Sequence, residues 1–313
     1  MQIGVLEPSD FSKNAIQELG KIGVVKMYSK DSLEEFLSEI EVLFIRLHYQ
    51  IDKDFLSLAP KLKIICTPTT GLNHLDIDAI ESCDINVISL KGEDGFLSTI
   101  RATPEHTLGL ILSLLRNYKN AFLNQKNSKW NRDFYKGHEI YGKKVGIIGM
   151  GRVGKIVAKY LDAMDAKIFY TDIKEVDVLE YAIKVDSLVE LIKQSDIIIL
   201  SASYNEKYRK FIGKLEINAM QGKYFINTAR GELVDESYLI HMISMNHFAG
   251  VAIDVISNEA DCKNNILSDL LNLTEQYNLL VSPHIAGATY ESMWRTEEFI
   301  VNKLINFLKE NEL

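Results

Sequence analysis

Apolar residues enter the first ninety positions in short runs of strand length: "IGVL", "VVKMY", "EVLFI", "LKIICT" and "INVISL". Between them, "FSKNAIQELG", "DSLEEFLSEI", "DKDFLSLAP" and "LDIDAIES" space their apolar residues at helical intervals and carry Asp or Ser residues suited to capping. The alternation predicts five strands in a parallel sheet covered by helices on both faces.

The clearest helix follows, "TPEHTLGLILSLLRNY" over residues 103–118. Thr103 is placed to cap it, Pro104 suits its first turn, and Leu108, Ile111, Leu112 and Leu115 share one face. A polar, aromatic-bearing stretch with turn signals at Gly137 and Gly142 leads to a second alternating series: "KVGIIG", "AKIFYTD", "DIIILSA", "KYFINT", "AGVAIDV" and "LLVSPH". A last amphipathic segment sets Phe299, Ile300, Leu304, Phe307 and Leu308 on one face. The pattern thus predicts two α/β domains, with the closing helix returning to the first.

A length of 313 residues with 47% hydrophobic content agrees with two cores of ordinary size. The formal charge of −8, with no basic block, argues against nucleic acid and anionic membranes as partners. No secretory signal pattern opens the chain, and no apolar run reaches membrane-span length. Cys66, Cys83 and Cys262 are odd in number and without CxxC spacing, which suggests reduced, mostly buried thiols in a cytoplasmic protein.

"GIIGMGRVG" holds the first chemical signal. Gly149, Gly151 and Gly154 form G-x-G-x-x-G directly after the strand Val145 to Ile148 and at the start of a helical pattern. At a strand-to-helix turn the first glycine permits the bend, the second lets backbone approach a pyrophosphate, and the third lets helix pack on strand. The phosphates then rest at the positive end of the helix. Asp172 ends the next strand, 18 residues after Gly154, where a carboxylate can accept hydrogen bonds from ribose hydroxyls and repel a 2′-phosphate. NAD is therefore favoured over NADP, although a strand-end aspartate can also be a simple turn residue.

Three later stretches, "NTARGELVD", "AIDVISNE" and "SPHIAGAT", each start at or just past the carboxyl end of an expected strand, the edge where open α/β sheets place ligands. They direct Arg230, Glu259 and His284 toward one crevice. Taken singly, each residue has a structural explanation as well: a solvated turn arginine, a loop carboxylate, a strand-end histidine bonded to backbone.

Taken in order, "GKKVGIIGMGRVGK", "INTARGELVDE", "GVAIDV" with Glu259 five residues after Asp254, and "SPHIAGAT" resemble the D-isomer-specific 2-hydroxyacid dehydrogenases, a family that includes 3-phosphoglycerate dehydrogenase and glyoxylate/hydroxypyruvate reductases. The resemblance covers nearly the whole chain. It implies an α/β fold of two doubly wound parallel-sheet domains: a Rossmann cofactor domain, residues 98–288, inserted into a flavodoxin-like substrate domain made of residues 1–97 and 289–313. It implies NAD as cofactor, held by Gly149, Gly151, Arg152, Val153, Gly154, Asp172, Thr228 and Asp254, and it makes Arg230, Glu259 and His284 the catalytic set. The residue types suit the reaction. A histidine can supply a proton to the carbonyl oxygen of a 2-oxo acid, a nearby glutamate orients the ring and favours its protonated form, and arginine offers a planar fork to the substrate carboxylate.

On the substrate side the resemblance implies that Thr70, Gly71 and Leu72 offer backbone N–H groups to a carboxylate, and that Arg46 in "FIRLHYQ" reaches the far end of a small 2-hydroxy or 2-oxo acid. A strand-to-helix connector capped by Asp76 is the plainer reading of the first of these. Leu47 and His48 depart from the family pattern beside Arg46, which puts phosphate recognition in doubt and makes His48 and Tyr49 candidates for setting substrate identity. The loop "SASYNEKYRKFIG" departs too, with Tyr204 able to cover the cofactor, and Ala260 stands where the family has proline. The family implies a homodimer through the cofactor domain, and 3-phosphoglycerate, glyoxylate or hydroxypyruvate as substrate. The rival reading is an NAD(H)-sensing binding protein of corepressor type, without turnover.

Overall fold

The computed structural model describes residues 1–29, 32–123, 130–177, 180–259 and 265–311. Two compact units emerge, Met1–Ile100 together with Ala288–Leu313, and Arg101–Gly287. Cys262 and Ala260 lie outside the described residues.

In the first unit the five apolar runs become β1 (Gln2–Val5), β2 (Val24–Met27), β3 (Val42–Phe44), β4 (Ile64–Thr67) and β5 (Asn86–Ser89). All neighbours pair in parallel, in the order β2-β1-β3-β4-β5. The central strands β3 and β4 are buried at every position, which is why they read as unbroken apolar runs with no alternation. Each intervening helix starts on the polar side chain that the pattern suggested: Ser12, Ser32, Asp52 and Asp76 accept the N–H groups of Ala15, Glu35, Phe55 and Ala79. One sheet face is covered with the help of Ile300, Val301, Leu304 and Leu308 from the closing helix Tyr290–Glu310. The other packs on Leu37, Ile40, Phe55, Leu56 and Ile80. The sheet's order reverses between β1 and β3, the mark of a doubly wound sheet.

The second unit holds seven parallel strands: β6 (Lys144–Ile148), β7 (Lys167–Thr171), β8 (Ala182–Lys184), β9 (Ile197–Leu200), β10 (Tyr224–Asn227), β11 (Gly250–Ile253) and β12 (Leu279–Val281). Their order is β12-β11-β10-β9-β6-β7-β8, with the direction of winding reversing between β6 and β9. Edge strand β8 escaped the sequence pattern because it is only three residues long and exposes Ile183 and Lys184.

Two expectations need correction. The long helix spans Ala102–Leu115, with Arg101 and not Thr103 at its N-cap, and it buries Thr107, Leu110, Ile111, Leu114 and Leu115 while Leu108 and Leu112 are only partly covered. The buried face, turned toward a core that includes Val145, Ile147, Ile197 and Ile199, is rotated from the one the pattern suggested, and Ile111 and Leu115 belong to both. Cys66 is buried as expected, and burial pushes its thiol upward, but Cys83 is exposed. Among the described residues no helix is long and apolar enough to cross a membrane.

Candidate active site

The glycine-rich turn lies where β6 and β9 part, at the carboxyl edge of the second sheet. Gly149 has φ +94°, and a Cβ there would fall 2.6 Å from the Ala202 backbone. A Cβ on Gly154 would meet the Gly149 carbonyl oxygen at 2.3 Å, so the helix Arg152–Asp162 presses directly against the turn. Gly151, the N-cap of that helix, differs: a Cβ there meets nothing within 4 Å. The first and third glycines are enclosed by protein, and the second borders open space at the positive end of an 11-residue helix, as a bound pyrophosphate requires. Arg152 and Val153 begin the helix half-buried. Asp172, just past β7, accepts the Met150 N–H at 2.7 Å and the Lys174 N–H at 2.8 Å, which fixes its carboxylate beside the turn. These residues fit a dinucleotide.

Arg230, Glu259 and His284 follow three neighbouring strands, β10, β11 and β12. Asn227 shapes the first loop: its side chain accepts the Ala229 N–H at 3.0 Å and donates to the Arg230 carbonyl at 3.1 Å. Thr228 Oγ1 lies 3.0 Å from Thr107 Oγ1 on the long helix. The half-buried Arg230 uses one guanidinium donor on the Ala229 carbonyl at 2.6 Å, the single hydrogen bond of its side chain among the described residues. Burial lowers the affinity of its guanidinium for the proton, opposed by Glu259 and Glu232; arginine stays charged regardless.

Glu259 Oε2 stands 2.5 Å from His284 Nδ1, while its other oxygen accepts the Ile256 N–H at 3.2 Å. Because an ionised carboxylate only accepts, Nδ1 carries the hydrogen and Nε2 is left without a protein partner among the described residues. The backbone of His284 is left-handed, with φ +52°, a conformation that costs a residue with a Cβ about 1–2 kcal/mol. Its N–H donates to the Asp254 carbonyl at 2.8 Å. The Asp254 carboxylate, almost fully buried, accepts from Ser282 Oγ at 2.5 Å, Ile285 N at 3.0 Å and Ala286 N at 2.9 Å, with His106 Nε2 at 3.3 Å. Burial pushes this carboxyl up, but the bonds from His106, Ser282, Ala286 and Ile285 together hold it below the ordinary aspartate value.

Sequence reasoning missed His106, Gly231 and Glu236. A Cβ on Gly231 would sit 2.2 Å from the backbone of Ile256 and Ser257, so glycine there brings the Arg230 turn against the loop that carries Glu259. Glu236, buried and pushed upward by that burial, accepts the Ser257 N–H at 3.0 Å and steadies the same loop. The polar pair Glu105-His106 at the head of an apolar helix was the available signal for His106.

In the first unit, Thr70, Gly71 and Leu72 form a turn after β4 whose N–H groups have no partner among the described residues, while Thr69 Oγ1 braces the Gly71 carbonyl at 2.9 Å. That turn can accept a carboxylate. Arg46 is placed otherwise than the sequence reading expected. Its guanidinium bonds to the fully buried Glu297 of the closing helix and, at 2.9 Å, to the Ser9 carbonyl. A buried carboxylate needs such a partner, so this arginine is committed within the protein. His48 is exposed and packs edge-on against Tyr49 at 4.9 Å. Tyr204, in the divergent loop, donates to Glu206.

Comparison with known proteins identifies the family of the chain. Residues 108–286 match the model of the D-isomer specific 2-hydroxyacid dehydrogenase NAD-binding domain. A glyoxylate reductase from Thermofilum pendens is 33% identical over 300 residues, covering 91% of this chain and 85% of the relative. The crystal structure of D-lactate dehydrogenase from Aquifex aeolicus, complexed with NAD and lactic acid, superposes with a TM-score of 0.85 at 27% identity, over 99% of this chain and 96% of that one. NAD-dependent formate dehydrogenase from Staphylococcus aureus, at 24% identity and a TM-score of 0.83 over 99% and 96% of the two chains, shares the fold. The match across most of the second unit, together with the relative aligned over nearly the full chain, shows that this protein belongs to the D-isomer specific 2-hydroxyacid dehydrogenase family, whose cofactor is NAD.

Proposed function

We propose that the protein interconverts a small 2-oxo acid and its D-2-hydroxy acid, with His284 as the acid/base, Glu259 as its orienting partner and Arg230 as the anchor for the substrate carboxylate. The observation that carries this reading is the 2.5 Å contact between Glu259 Oε2 and His284 Nδ1, which leaves Nε2 as the one ring nitrogen able to exchange a proton. Bound nicotinamide supplies the hydride in reduction and receives it in oxidation. In reduction His284 donates the Nε2 hydrogen to the carbonyl oxygen; in oxidation the neutral ring takes the hydroxyl hydrogen back. Glu259 keeps the ring in one tautomer and one plane. The donors of Arg230 beyond the one on Ala229 form a planar fork suited to a carboxylate, which fixes the carbonyl carbon relative to the proton donor.

Glyoxylate or hydroxypyruvate is favoured over a phosphorylated acid. Arg46, the arginine that would meet a phosphate, is bound to Glu297, and the Thermofilum pendens relative is named a glyoxylate reductase. NADH oxidation measured with glyoxylate, hydroxypyruvate, pyruvate and phosphohydroxypyruvate tests class and substrate together. Turnover of the first two is expected; NADH binding without turnover of any acid across a range of pH would sink the enzyme reading in favour of a dinucleotide sensor. His284→Ala is expected to depress kcat about a hundredfold or more, the loss typical of removing an acid/base group.

A further inference from the structure

Five hydrogen bonds converge on Asp254. Its carbonyl takes the His284 N–H, and its carboxylate takes Ser282 Oγ, the N–H groups of Ile285 and Ala286, and His106 Nε2. Four of the five come from the residues immediately around His284. A left-handed residue bearing a side chain persists only where its surroundings over-determine it, and here Asp254 supplies that constraint. The fifth bond arrives from outside the loop, from the helix Ala102–Leu115. Nε2 of His106 lies 3.3 Å from both Asp254 Oδ1 and Ser282 Oγ, and the imidazole is itself mostly covered, with 21% of its side chain exposed. Ser282 spends its hydroxyl hydrogen on Asp254 and keeps its lone pairs free, so the hydrogen on His106 Nε2 is shared between Ser282 Oγ and Asp254 Oδ1, which are equally distant.

We infer that His106 is a positioning residue for the acid/base histidine: by donating to Asp254 it fixes the carboxylate that clamps Ser282, Ile285 and Ala286, and with them the backbone from which the His284 ring reaches Glu259. The inference rests on the assignment of His284 as the acid/base. Without the His106 bond, Oδ1 keeps Ser282 and Ile285 but loses its only tie to the rigid helix, and the carboxylate can swing with the loop it is meant to hold.

The test pairs His106→Ala with His106→Gln, whose amide N–H can still donate to Asp254. Amide hydrogen exchange of the segment 282–287 is expected to quicken in His106→Ala and to return toward the wild-type rate in His106→Gln. In steady-state assays His106→Ala is expected to lose about tenfold in kcat, with KM for the oxo acid nearly unchanged, because a misplaced proton donor affects the transition state more than binding. Unchanged exchange in His106→Ala, or a Gln variant as impaired as the Ala variant in both measurements, overturns the inference. A wild-type protein that turns over no acid, yet shows the exchange difference between the two variants, overturns the reading of function and leaves the clamp standing.

Discussion

At the scale of single residues, Arg46 and Asp172 are charged side chains held by the protein in different ways. Removing Arg46 leaves Glu297 buried without a counter-charge, so Arg46→Ala is expected to lower folding stability by about 3 kcal/mol or more, measured by urea unfolding. A ligand-binding arginine on the surface would cost little stability when removed. Asp172→Ser removes the carboxylate beside the glycine turn and is expected to narrow the ratio of kcat/KM for NAD over NADP; a wild type that already prefers NADP would refute the role. Arg230, Glu259 and His284 were legible in the sequence because each follows an apolar run at a strand's carboxyl end. The tie from Arg46 to Glu297 could not be read from the chain, because the two residues lie 251 positions apart and meet only in the fold. His106 stands out in the sequence only as part of a polar pair at the head of an apolar helix, while its partners Asp254 and Ser282 meet it through the fold.

At the scale of elements, the strand-turn-helix from Lys144 to Asp162 separates two uses of glycine. Gly154→Ala drives a methyl group into the Gly149 carbonyl and is expected to cost about 1–3 kcal/mol, visible as a lowered melting temperature with or without cofactor. Gly151→Ala adds a methyl group to open space, so the melting temperature without cofactor should hardly move, while the dissociation constant of NADH, followed by fluorescence, should rise about tenfold, or about 1.4 kcal/mol. Equal effects on folding and binding at the two positions would contradict this division. Of the twelve strands among the described residues, eleven could be read from the chain because buried parallel strands are continuous apolar runs; β8, short and at an edge, has no such run. The helix Ala102–Leu115 is legible, with Ile111 and Leu115 of its buried face; the face is otherwise rotated, since Thr107 on it is polar and leaves no unbroken apolar stripe.

At the scale of the whole molecule, the second unit exposes Phe122, Leu123, Trp130, Phe134 and Tyr141 in the forty residues after its opening helix begins. Trp130 is 85% exposed. We propose that these five exposed side chains are covered by a second copy of the chain, consistent with the homodimer that the family resemblance implies. Sedimentation of Trp130→Asp with Phe134→Asp is expected to show a monomer where the wild type is a dimer; a wild type that sediments as a monomer refutes it. The close approach of His106 and Ser282 also bears on how the chain folds. The second unit interrupts the first between Ile100 and Ala288, and those two residues lie six positions outside the 3.3 Å contact on either side. Closing a long unstructured loop costs entropy that grows with its length. An insert that fastens its own ends presents the first sheet with a short turn instead, so β5 and the closing helix can find each other at the small entropic cost of a tight connection once the inserted unit has formed.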